Sequence, residues 1–338
     1  MKLRWGICGA GKVSNDFVIG VSVLPAAEHQ VVSVAARNQL RAQEFADKHK
    51  IVTAYGSYQE LATDNCIDVV YIGVIIPYHY EATKMMLNLG KHVLCEKPMA
   101  LNRKQVQELV DLARSKNLFL MECVRGRCFP IYKLLCGELD SGTIGEPMMV
   151  SAHLCISKKD ESKWKYRANG GGATLGLAVY CIQLALLAFK ERPEEVKAVG
   201  HLSEEGVDVG TSVCMKFSAG RLCTFTLDLR YRGTNSATIY GTEGKLELPA
   251  VFTGPSVLVR PSGRVEVPIP SPTHTDGRPT TYSMVSGLCY VAETARECIM
   301  NGQTECHLIT LEESLMIASI TDEIRQQIGV TYEGDTEL

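Results

Sequence analysis

The chain has 338 residues, 46% of them hydrophobic, and a length of this kind predicts two domains. Its 35 Lys and Arg residues against 38 Asp and Glu residues leave a formal net charge of −3. Because the basic side chains neither predominate nor cluster, the composition argues against a protein that binds nucleic acid through its phosphates. High apolar content combined with low net charge also excludes an intrinsically disordered chain.

Thirteen cysteines are scattered along the chain, an odd number without a close CxxC pair. Neither they nor the histidines show the ligand spacing of a metal site, so the sequence predicts no bound metal. No apolar run reaches the roughly 18 residues that a membrane span requires. Because free thiols within apolar runs are typical of a reducing compartment, we expect a soluble, cytoplasmic protein.

The first third of the chain alternates short apolar runs with helical patterns, as in a parallel sheet covered by helices. The predicted strands span residues 3–8, 31–36, 68–74, 93–95 and 118–120. The predicted helices span residues 12–24, 40–48, 79–89 and 103–115. The fold class expected for residues 1–124 is therefore α/β, a Rossmann domain with a doubly wound parallel sheet.

The remainder of the chain, residues 125–338, shows a different pattern. Apolar Cys223, Phe225 and Leu227 alternate with polar residues, which predicts a strand with one buried and one polar face. Further strands are predicted at 147–157, 195–203, 211–217, 235–241 and 244–248, and helices at 130–138, 176–191, 283–300 and 310–328. A Pro-, Gly- and Ser-rich stretch at 254–279 is predicted to be a surface connection. We expect an α+β domain built on a largely antiparallel open sheet, for substrate binding and dimerisation.

A glycine-rich segment, Gly9-Ala10-Gly11-Lys12-Val13-Ser14, lies between the first predicted strand and the first predicted helix. Glycine at the first two positions permits a tight turn and lets the backbone, including that of Lys12 and Val13, approach a pyrophosphate at the helix N-terminus. The third position is usually Gly or Ala, and here it is Ser14. Alone, this pattern is also compatible with an ordinary glycine turn, but the strand and helix around it favour dinucleotide binding.

The end of the second predicted strand indicates which dinucleotide is bound. Enzymes that use NAD usually place an acidic residue there, whereas this chain has Arg37, followed by Arg41 one helical turn later. Because guanidinium groups bind phosphate through paired hydrogen bonds, the two arginines favour NADP and its 2′-phosphate. The alternative is that both are solvated surface charges.

The tetrapeptide Cys95-Glu96-Lys97-Pro98 directly follows a predicted buried strand. Ligands of open α/β sheets bind at the carboxyl ends of the strands, so Lys97 is expected near the nicotinamide end of the cofactor. An ammonium group there can bind a substrate hydroxyl and lower the pKa of a neighbouring proton acceptor. The alternative is a lysine in a surface turn before proline.

These motifs, in this order, resemble those of the glucose-fructose oxidoreductase / inositol dehydrogenase (Gfo/Idh/MocA) family over nearly the whole chain. The other shared features are Gly170-Gly171-Gly172 after Trp164 and Gly241-Thr242-Glu243-Gly244. Within the family the chain is most similar to the dimeric dihydrodiol dehydrogenases, also described as D-xylose dehydrogenases. The grounds are Leu3-Arg4-Trp5-Gly6-Ile7, Glu28-His29-Gln30-Val31-Val32, Ala54-Tyr55-Gly56-Ser57-Tyr58, Val93-Leu94-Cys95-Glu96-Lys97-Pro98-Met99 and Ile328-Gly329-Val330-Thr331.

The resemblance implies an NADP-dependent dehydrogenase that oxidises a trans-dihydrodiol to a catechol or a pentose such as D-xylose to its lactone. It implies that Lys97 and the phenol of Tyr180 handle the proton of the substrate hydroxyl. It also places His79 and Glu96 at the cofactor, with a core tyrosine and a helix-start histidine as the structural alternatives for Tyr180 and His79. A homodimer is expected, with the polar face at Thr224, Thr226 and Asp228 as a candidate interface.

The catalytic side of the pattern is incomplete. The family usually has an Asp four residues before its catalytic Tyr or His, and here that position is Gly176. Ile76 replaces a histidine, and Arg125 takes an aromatic position that lines the substrate pocket. Three hypotheses stay open: the dehydrogenase just described, a related enzyme for another polyol or an acidic sugar, and a catalytically impaired protein that binds NADP(H).

Overall fold

A computed structural model describes residues 2–158, 160–270 and 287–335. The strands of this part of the chain are β1 (Leu3–Cys8), β2 (His29–Ala35), β3 (Thr53–Tyr55), β4 (Val69–Ile72), β5 (His92–Glu96), β6 (Leu120–Cys123), β7 (Pro147–Cys155), β8 (Glu195–Leu202), β9 (Asp208–Lys216), β10 (Leu222–Asp228), β11 (Ala237–Gly241), β12 (Lys245–Leu248), β13 (Val257–Arg260) and β14 (Gly263–Glu266). Its α-helices are α1 (Lys12–Val21), α2 (Gln39–His49), α3 (Tyr58–Thr63), α4 (His79–Asn88), α5 (Arg103–Ser115), α6 (Pro130–Asp140), α7 (Ser162–Lys165), α8 (Ala173–Phe189), α9 (Leu288–Met300) and α10 (Leu311–Ile328).

The chain forms two compact units, neither of which is a continuous segment. The first unit comprises Met1–Ala100, Lys104–Arg125 and Ile269–Leu311. The second comprises Leu101–Arg103, Gly126–Pro268 and Glu312–Leu338. The expected domains 1–124 and 125–338 differ from these units, because the chain returns to the first unit after the sheet of the second, and α9 belongs to the first unit. The hydrophobic period of a helix does not indicate which unit the helix will pack against.

The first unit contains a six-stranded parallel sheet in the order β3-β2-β1-β4-β5-β6. Its central strands β1, β4 and β5 are almost wholly buried apolar runs, as expected for strands covered on both faces. The sheet confirms the predicted Rossmann architecture, in which ligands meet the carboxyl ends of the strands. β3 and α3 were not predicted, because three and six residues are too few to show a clear period.

Helix α9 completes the first unit by packing against α1. The contact is close: a Cβ atom on Gly20 of α1 would lie only 3.1 Å from the backbone nitrogen of Cys289. Beyond α9, the backbone N–H of Leu120 on the edge strand β6 donates to the carbonyl of Thr304 at 3.1 Å. The segment after α9 thus covers part of a sheet edge that would otherwise present unpaired backbone groups.

The second unit contains an eight-stranded sheet in the order β14-β13-β12-β11-β7-β10-β9-β8. Every neighbouring pair is antiparallel except β7 and β10, which confirms the largely antiparallel sheet. The prediction of a surface connection at 254–279 is wrong in part, because β13 and β14 form a hairpin within it. Leu258 is fully buried in this hairpin, whose two strands are joined by the two-residue loop Pro261-Ser262. Residues 271–279 lie outside the described part of the chain.

Strand β10 shows the predicted alternation, with Cys223, Phe225 and Leu227 buried and the intervening Thr224 and Thr226 partly exposed. Asp228 departs from it. This residue is buried and binds the Arg230 guanidinium at 2.6 Å, so it does not belong to an open polar face. The alternation alone predicts that the Asp228 carboxylate is exposed to solvent. Its ion pair with Arg230, two positions along the chain, allows it to be buried instead.

Helix α8 is buried along almost its whole length and packs on β7, β9 and β10. Gly172 precedes the helix and offers no side chain as a cap. Asp208 of β9 replaces it, because its Oδ2 accepts hydrogen bonds from the Thr174 backbone N–H at 2.8 Å and hydroxyl at 2.7 Å. Although α8 is apolar, neither it nor any other helix in residues 2–158, 160–270 and 287–335 has the length and hydropathy to cross a membrane.

Candidate active site

The glycine turn after β1 has the geometry of a dinucleotide-binding loop. Gly9 adopts φ +103°, and a Cβ atom there would lie 2.9 Å from the Val74 side chain and 3.1 Å from the Gly73 carbonyl. Gly11 is the N-cap of α1, and Lys12 and Val13 form its first turn. Backbone N–H groups at this helix end can hydrogen-bond a phosphate, and glycine leaves room for it to approach. The loop fits a pyrophosphate.

Ser14 at the third motif position is compatible with this packing. Its side chain is buried, and its hydroxyl lies 3.5 Å from the carbonyl of Gly73, in the turn after β4. A Cβ atom on Gly73 would collide with that hydroxyl. The helix and the neighbouring strand therefore come close because position 73 lacks a side chain, which offsets the larger residue at position 14.

Arg37 and Arg41 lie beyond the carboxyl end of β2 and are exposed. The Arg37 guanidinium stacks on the Tyr78 ring at 5.0 Å, and the Arg41 backbone N–H is capped by Asn38 at 3.2 Å. Both guanidinium groups also act on Tyr58: burial raises its pKa to about 12, while their positive charges work in the opposite direction. The guanidinium groups of Arg37 and Arg41 thus both lie near Tyr58, beyond the end of β2. In a Rossmann fold this is the adenosine side of the cofactor site, where two cations suit a 2′-phosphate.

The loop after β5, which carries Glu96, Lys97 and Pro98, is held on both sides. The Tyr71 hydroxyl of β4 donates to Glu96 Oε1 at 2.8 Å, and the Tyr71 ring stacks on Phe17 of α1 with centroids 3.8 Å apart. On the other side, the Met99 backbone N–H donates to the Glu122 carboxylate at 3.1 Å. Lys97 is thus presented by a braced segment at the carboxyl end of a central strand.

His79 is the third brace of this loop. Its Nδ1 lies 2.7 Å from the Pro98 carbonyl and its Nε2 lies 3.1 Å from the Val74 carbonyl, with the side chain buried. The contacts with backbone agree with the structural alternative for this residue, and they link the loop of Lys97 to the turn beside Gly73. Its place at the cofactor stays a prediction.

Lys97 lies in surroundings that favour its neutral form. Its pKa is lowered to about 8, chiefly by burial and also by the Arg125 guanidinium, while the carboxylates of Glu96 and Glu122 act in the opposite direction. A lysine with this pKa is mainly ammonium at neutral pH and exists as ammonium and free amine in comparable amounts near pH 8. Such a group can bind a substrate oxygen as a cation or exchange a proton with it.

Arg125 begins a short 3-10 turn, Arg125–Cys128, directly after β6. It is partly exposed, but its Nε is buried and makes no hydrogen bond within the described residues. Its positive charge lowers the pKa of Lys97, so two cationic side chains lie at one end of the parallel sheet. A cationic side chain at position 125, where the family resemblance implies an aromatic residue, favours a polar or anionic ligand.

Tyr180 lies on α8 in the second unit and retains 7% exposure. Its backbone is fixed by Gln183, whose side-chain amide donates to the Tyr180 carbonyl at 3.0 Å and to the Tyr132 hydroxyl at 2.8 Å. Arg127 in turn donates to the Gln183 carbonyl at 3.1 Å and to Glu313 at 2.8 Å. The helix position of Tyr180 is therefore set by a buried polar network.

Gly176, one helical turn before Tyr180, faces Trp164 of α7. A Cβ atom on Gly176 would overlap the six-membered ring of the indole. Ile76, the other departure from the family pattern, is a buried apolar residue of the first unit. The sequence identified both substitutions and named Trp164 as a shared family feature, but it did not show that Trp164 faces Gly176. It missed Tyr71 and Gln183, because residues within apolar runs give no sign of the neighbours that they support.

Family models match both halves of the chain. The model described as an oxidoreductase family with an NAD-binding Rossmann fold matches residues 3–123. The model described as the GFO/IDH/MocA C-terminal domain matches residues 135–247.

Similar proteins extend over the full length. Trans-1,2-dihydrobenzene-1,2-diol dehydrogenase of Danio rerio is 41% identical and covers 100% of both chains. The protein of the same name from Xenopus tropicalis is 41% identical over 98% of this chain and 100% of its own, and that of Homo sapiens is 39% identical over 99% of each.

Solved structures agree on the fold. A 3-ketoreductase from Actinomadura kijaniata in complex with NADP and TDP-benzene is 25% identical, covers 98% of this chain and 100% of its own, and has a TM-score of 0.80. Levoglucosan dehydrogenase in complex with NADH and levoglucosan is 19% identical over 97% of this chain and 98% of its own, with a TM-score of 0.84. On these grounds the chain belongs to the GFO/IDH/MocA family of oxidoreductases.

Proposed function

We propose that this oxidoreductase is an NADP-dependent dehydrogenase that oxidises a trans-dihydrodiol to a catechol or a pentose such as D-xylose to its lactone. The observation that carries the proposal is identity of about 40% with dihydrodiol dehydrogenases over the full length of both chains. Identity at that level, spread over both family domains, supports a shared reaction class more strongly than fold likeness does.

The cofactor assigned in this proposal is NADP. Gly9, Gly11 and the first turn of α1 would hold its pyrophosphate, and Arg37 and Arg41 its 2′-phosphate. His79 and Glu96 would support the nicotinamide side through the braced loop after β5. When bound, the nicotinamide supplies the acceptor for hydride.

Lys97 and Tyr180 are proposed as the catalytic residues. In its ammonium form, Lys97 would donate a hydrogen bond to the substrate oxygen and stabilise negative charge that develops there. A free phenol has a pKa of about 10, so Tyr180 needs a cation close to the reacting oxygen in order to accept its proton near neutral pH. Each residue therefore has a distinct proposed task, which separate substitutions can resolve.

Arg125 supports a second candidate, a dehydrogenase for another polyol or for an acidic sugar. Its guanidinium charge acts on Lys97, and two neighbouring cations favour a carboxylate-bearing substrate over an aromatic diol. The departures at Gly176 and Ile76 support a third, a catalytically impaired protein that binds NADP(H).

Steady-state turnover distinguishes the three. Purified protein with NADP and either trans-1,2-dihydrobenzene-1,2-diol or D-xylose should produce NADPH at a rate well above that of Tyr180→Phe. Turnover on uronic acids alone would favour the second candidate. NADPH binding without turnover on diols, pentoses, other polyols or uronic acids would favour the third and overturn the proposal.

A cytoplasmic homodimer completes the proposal. The thirteen cysteines are free thiols, which supports a reducing compartment. On the sheet of the second unit, the partly exposed Thr224 and Thr226 lie on the same sheet as the exposed Tyr240, an aromatic residue of the type that is enriched at interfaces. Light scattering should give twice the mass of one chain, and Thr226→Arg should lower it towards the monomer. A monomeric wild-type protein would refute the dimer.

A further inference from the structure

Two buried thiols and an imidazole come together at the end of α9, in the first unit. Cys298 lies in the last turn of α9, and Cys306 and His307 lie in the segment that leads to α10. The two sulfur atoms and a ring nitrogen of His307 all lie within 4.8 Å of one another. Cys298 and Cys306 are fully buried, while His307 is exposed, so the cluster has one side open to solvent.

We propose that Cys298, Cys306 and His307 bind a zinc ion, with water as the fourth ligand on the exposed side of His307. Two thiolates and one imidazole are a ligand set that zinc prefers, and zinc sites are tetrahedral. Zn–S and Zn–N bonds of about 2.3 and 2.0 Å place the ligand atoms roughly 3.5 to 3.8 Å apart in a tetrahedron. The observed limit of 4.8 Å between the ligand atoms is about 1 Å above these separations.

The backbone around the cluster is fixed, so that the ligands are held in place without a metal. The Gln303 N–H donates to the Cys298 carbonyl at 2.9 Å, and the Leu311 N–H donates to the Glu305 carboxylate at 2.9 Å. Between these two points, Thr304 accepts the hydrogen bond from the edge strand β6. A zinc ion here would tie the end of α9 to a segment already attached to the parallel sheet.

The sulfur of Cys306 lies in polar surroundings although it is buried. It accepts the Leu308 backbone N–H at 3.4 Å. A hydrogen-bond donor at the sulfur stabilises a thiolate, which is the form that binds metal.

Cobalt substitution tests the site without reference to enzyme activity. Full-length protein purified with reductant and stripped with a chelator should bind one Co²⁺ per chain. The expected spectrum has the visible bands of tetrahedral Co²⁺ and the near-ultraviolet charge-transfer bands of thiolate ligands, and Zn²⁺ should displace the ion. His307→Asn, at an exposed position, should weaken Co²⁺ binding roughly tenfold or more, and Cys306→Ser should remove the charge-transfer bands.

Matched controls are Cys66→Ser and Cys214→Ser, which remove exposed thiols elsewhere and should leave the spectrum unchanged. If Cys306→Ser does not fold, His307→Asn still decides the question. Absence of the thiolate bands, or bands that persist unchanged in His307→Asn, would overturn the proposal. A further outcome would also overturn the proposal: metal-free protein prepared without reductant forms a Cys298–Cys306 disulfide, and reduction of that disulfide does not restore Co²⁺ binding.

Discussion

The indole ring of Trp164 occupies the space beside Gly176, so that a Cβ atom at position 176 would lie 3.0 Å from Cη2 and still closer to the adjacent ring carbon. Both residues are buried in the second unit. The aspartate that the family resemblance leads one to expect one helical turn before Tyr180 therefore has no room here. If Tyr180 takes part in proton transfer, as proposed, it does so without a carboxylate at position 176.

Gly176→Asp should destabilise the protein. Overpacking costs about 1–3 kcal/mol, and burial of a carboxylate without a partner adds to that, so we expect a loss of about 3 kcal/mol or more, measured as a lower midpoint of urea unfolding. Gly137→Asp is the matched control, because a Cβ atom at this exposed position meets nothing within 4 Å and the substitution should change stability by about 0.5 kcal/mol or less. Trp164→Ala combined with Gly176→Asp should cost less than the sum of the single changes. Strict additivity would show that the indole is not the obstacle.

The lowered pKa of Lys97 leads us to expect that activity falls at alkaline pH. Because its pKa is lowered to about 8, the ammonium form predominates below pH 8 and is lost as pH rises through that value. If the ammonium is the active form, kcat/KM should fall about tenfold per pH unit above the limit. Lys97→Arg remains charged throughout and should remove this limb, although its absolute rate will be lower. A rate that rises through pH 8 would instead identify the free amine as the active form.

Arg125 should affect both the pH limit and the choice of substrate. Its positive charge lowers the pKa of Lys97, so Arg125→Gln should move the alkaline limb to higher pH. Arg125→Trp should raise kcat/KM for trans-dihydrodiols relative to acidic sugars, by about tenfold. The two variants are compared in pH profiles and in a substrate panel. If the alkaline limb of the pH profile does not move in Arg125→Gln, the charge of Arg125 does not influence the pKa of Lys97.

Arg37 predicts the preference between the two dinucleotides. A charge-assisted hydrogen bond contributes about 1.5–3 kcal/mol, so Arg37→Gln should raise the Kd of NADP by about 10- to 100-fold while that of NAD changes little. Fluorescence titration with both reduced cofactors measures the ratio. Arg114→Gln removes an exposed arginine of α5 and should leave the ratio at its wild-type value. Equal weakening of both cofactors by Arg37→Gln would contradict contact with the 2′-phosphate.

Much of the fold follows from local patterns in the sequence. The predicted strand 3–8 has the same bounds as β1, and the predicted helix 79–89 corresponds to α4. Both were predictable because buried strands and amphipathic helices show a characteristic pattern of apolar residues in their own sequence. The part of helix 283–300 that is described, Leu288–Met300, is also confirmed. The unit to which α9 belongs was not predictable, since that depends on a close approach between its start and Gly20, far away in the sequence.

The candidate site was predictable where chemistry is tied to a local motif. Gly9, Lys97 and Arg37 all stand at carboxyl ends of strands in the first unit, as the pattern of strands and helices predicted. What supports them was not predictable. Tyr71 and Trp164 are aromatic residues in ordinary surroundings by sequence, and their partners Glu96 and Gly176 become apparent only when the chain is folded.

The return of α9 to the first unit has a consequence for the order of events during synthesis. Helix α1 is translated almost at the start, but its partner α9 is translated only after β14, when the whole sheet of the second unit has been made. Until then the nascent first unit lacks the helix that covers α1 and the backbone carbonyl that pairs with Leu120 of its edge strand. A chain that stalls or is truncated before Thr304 has all six strands of the Rossmann sheet but leaves the β6 edge unpaired at Leu120, where another chain could pair with it.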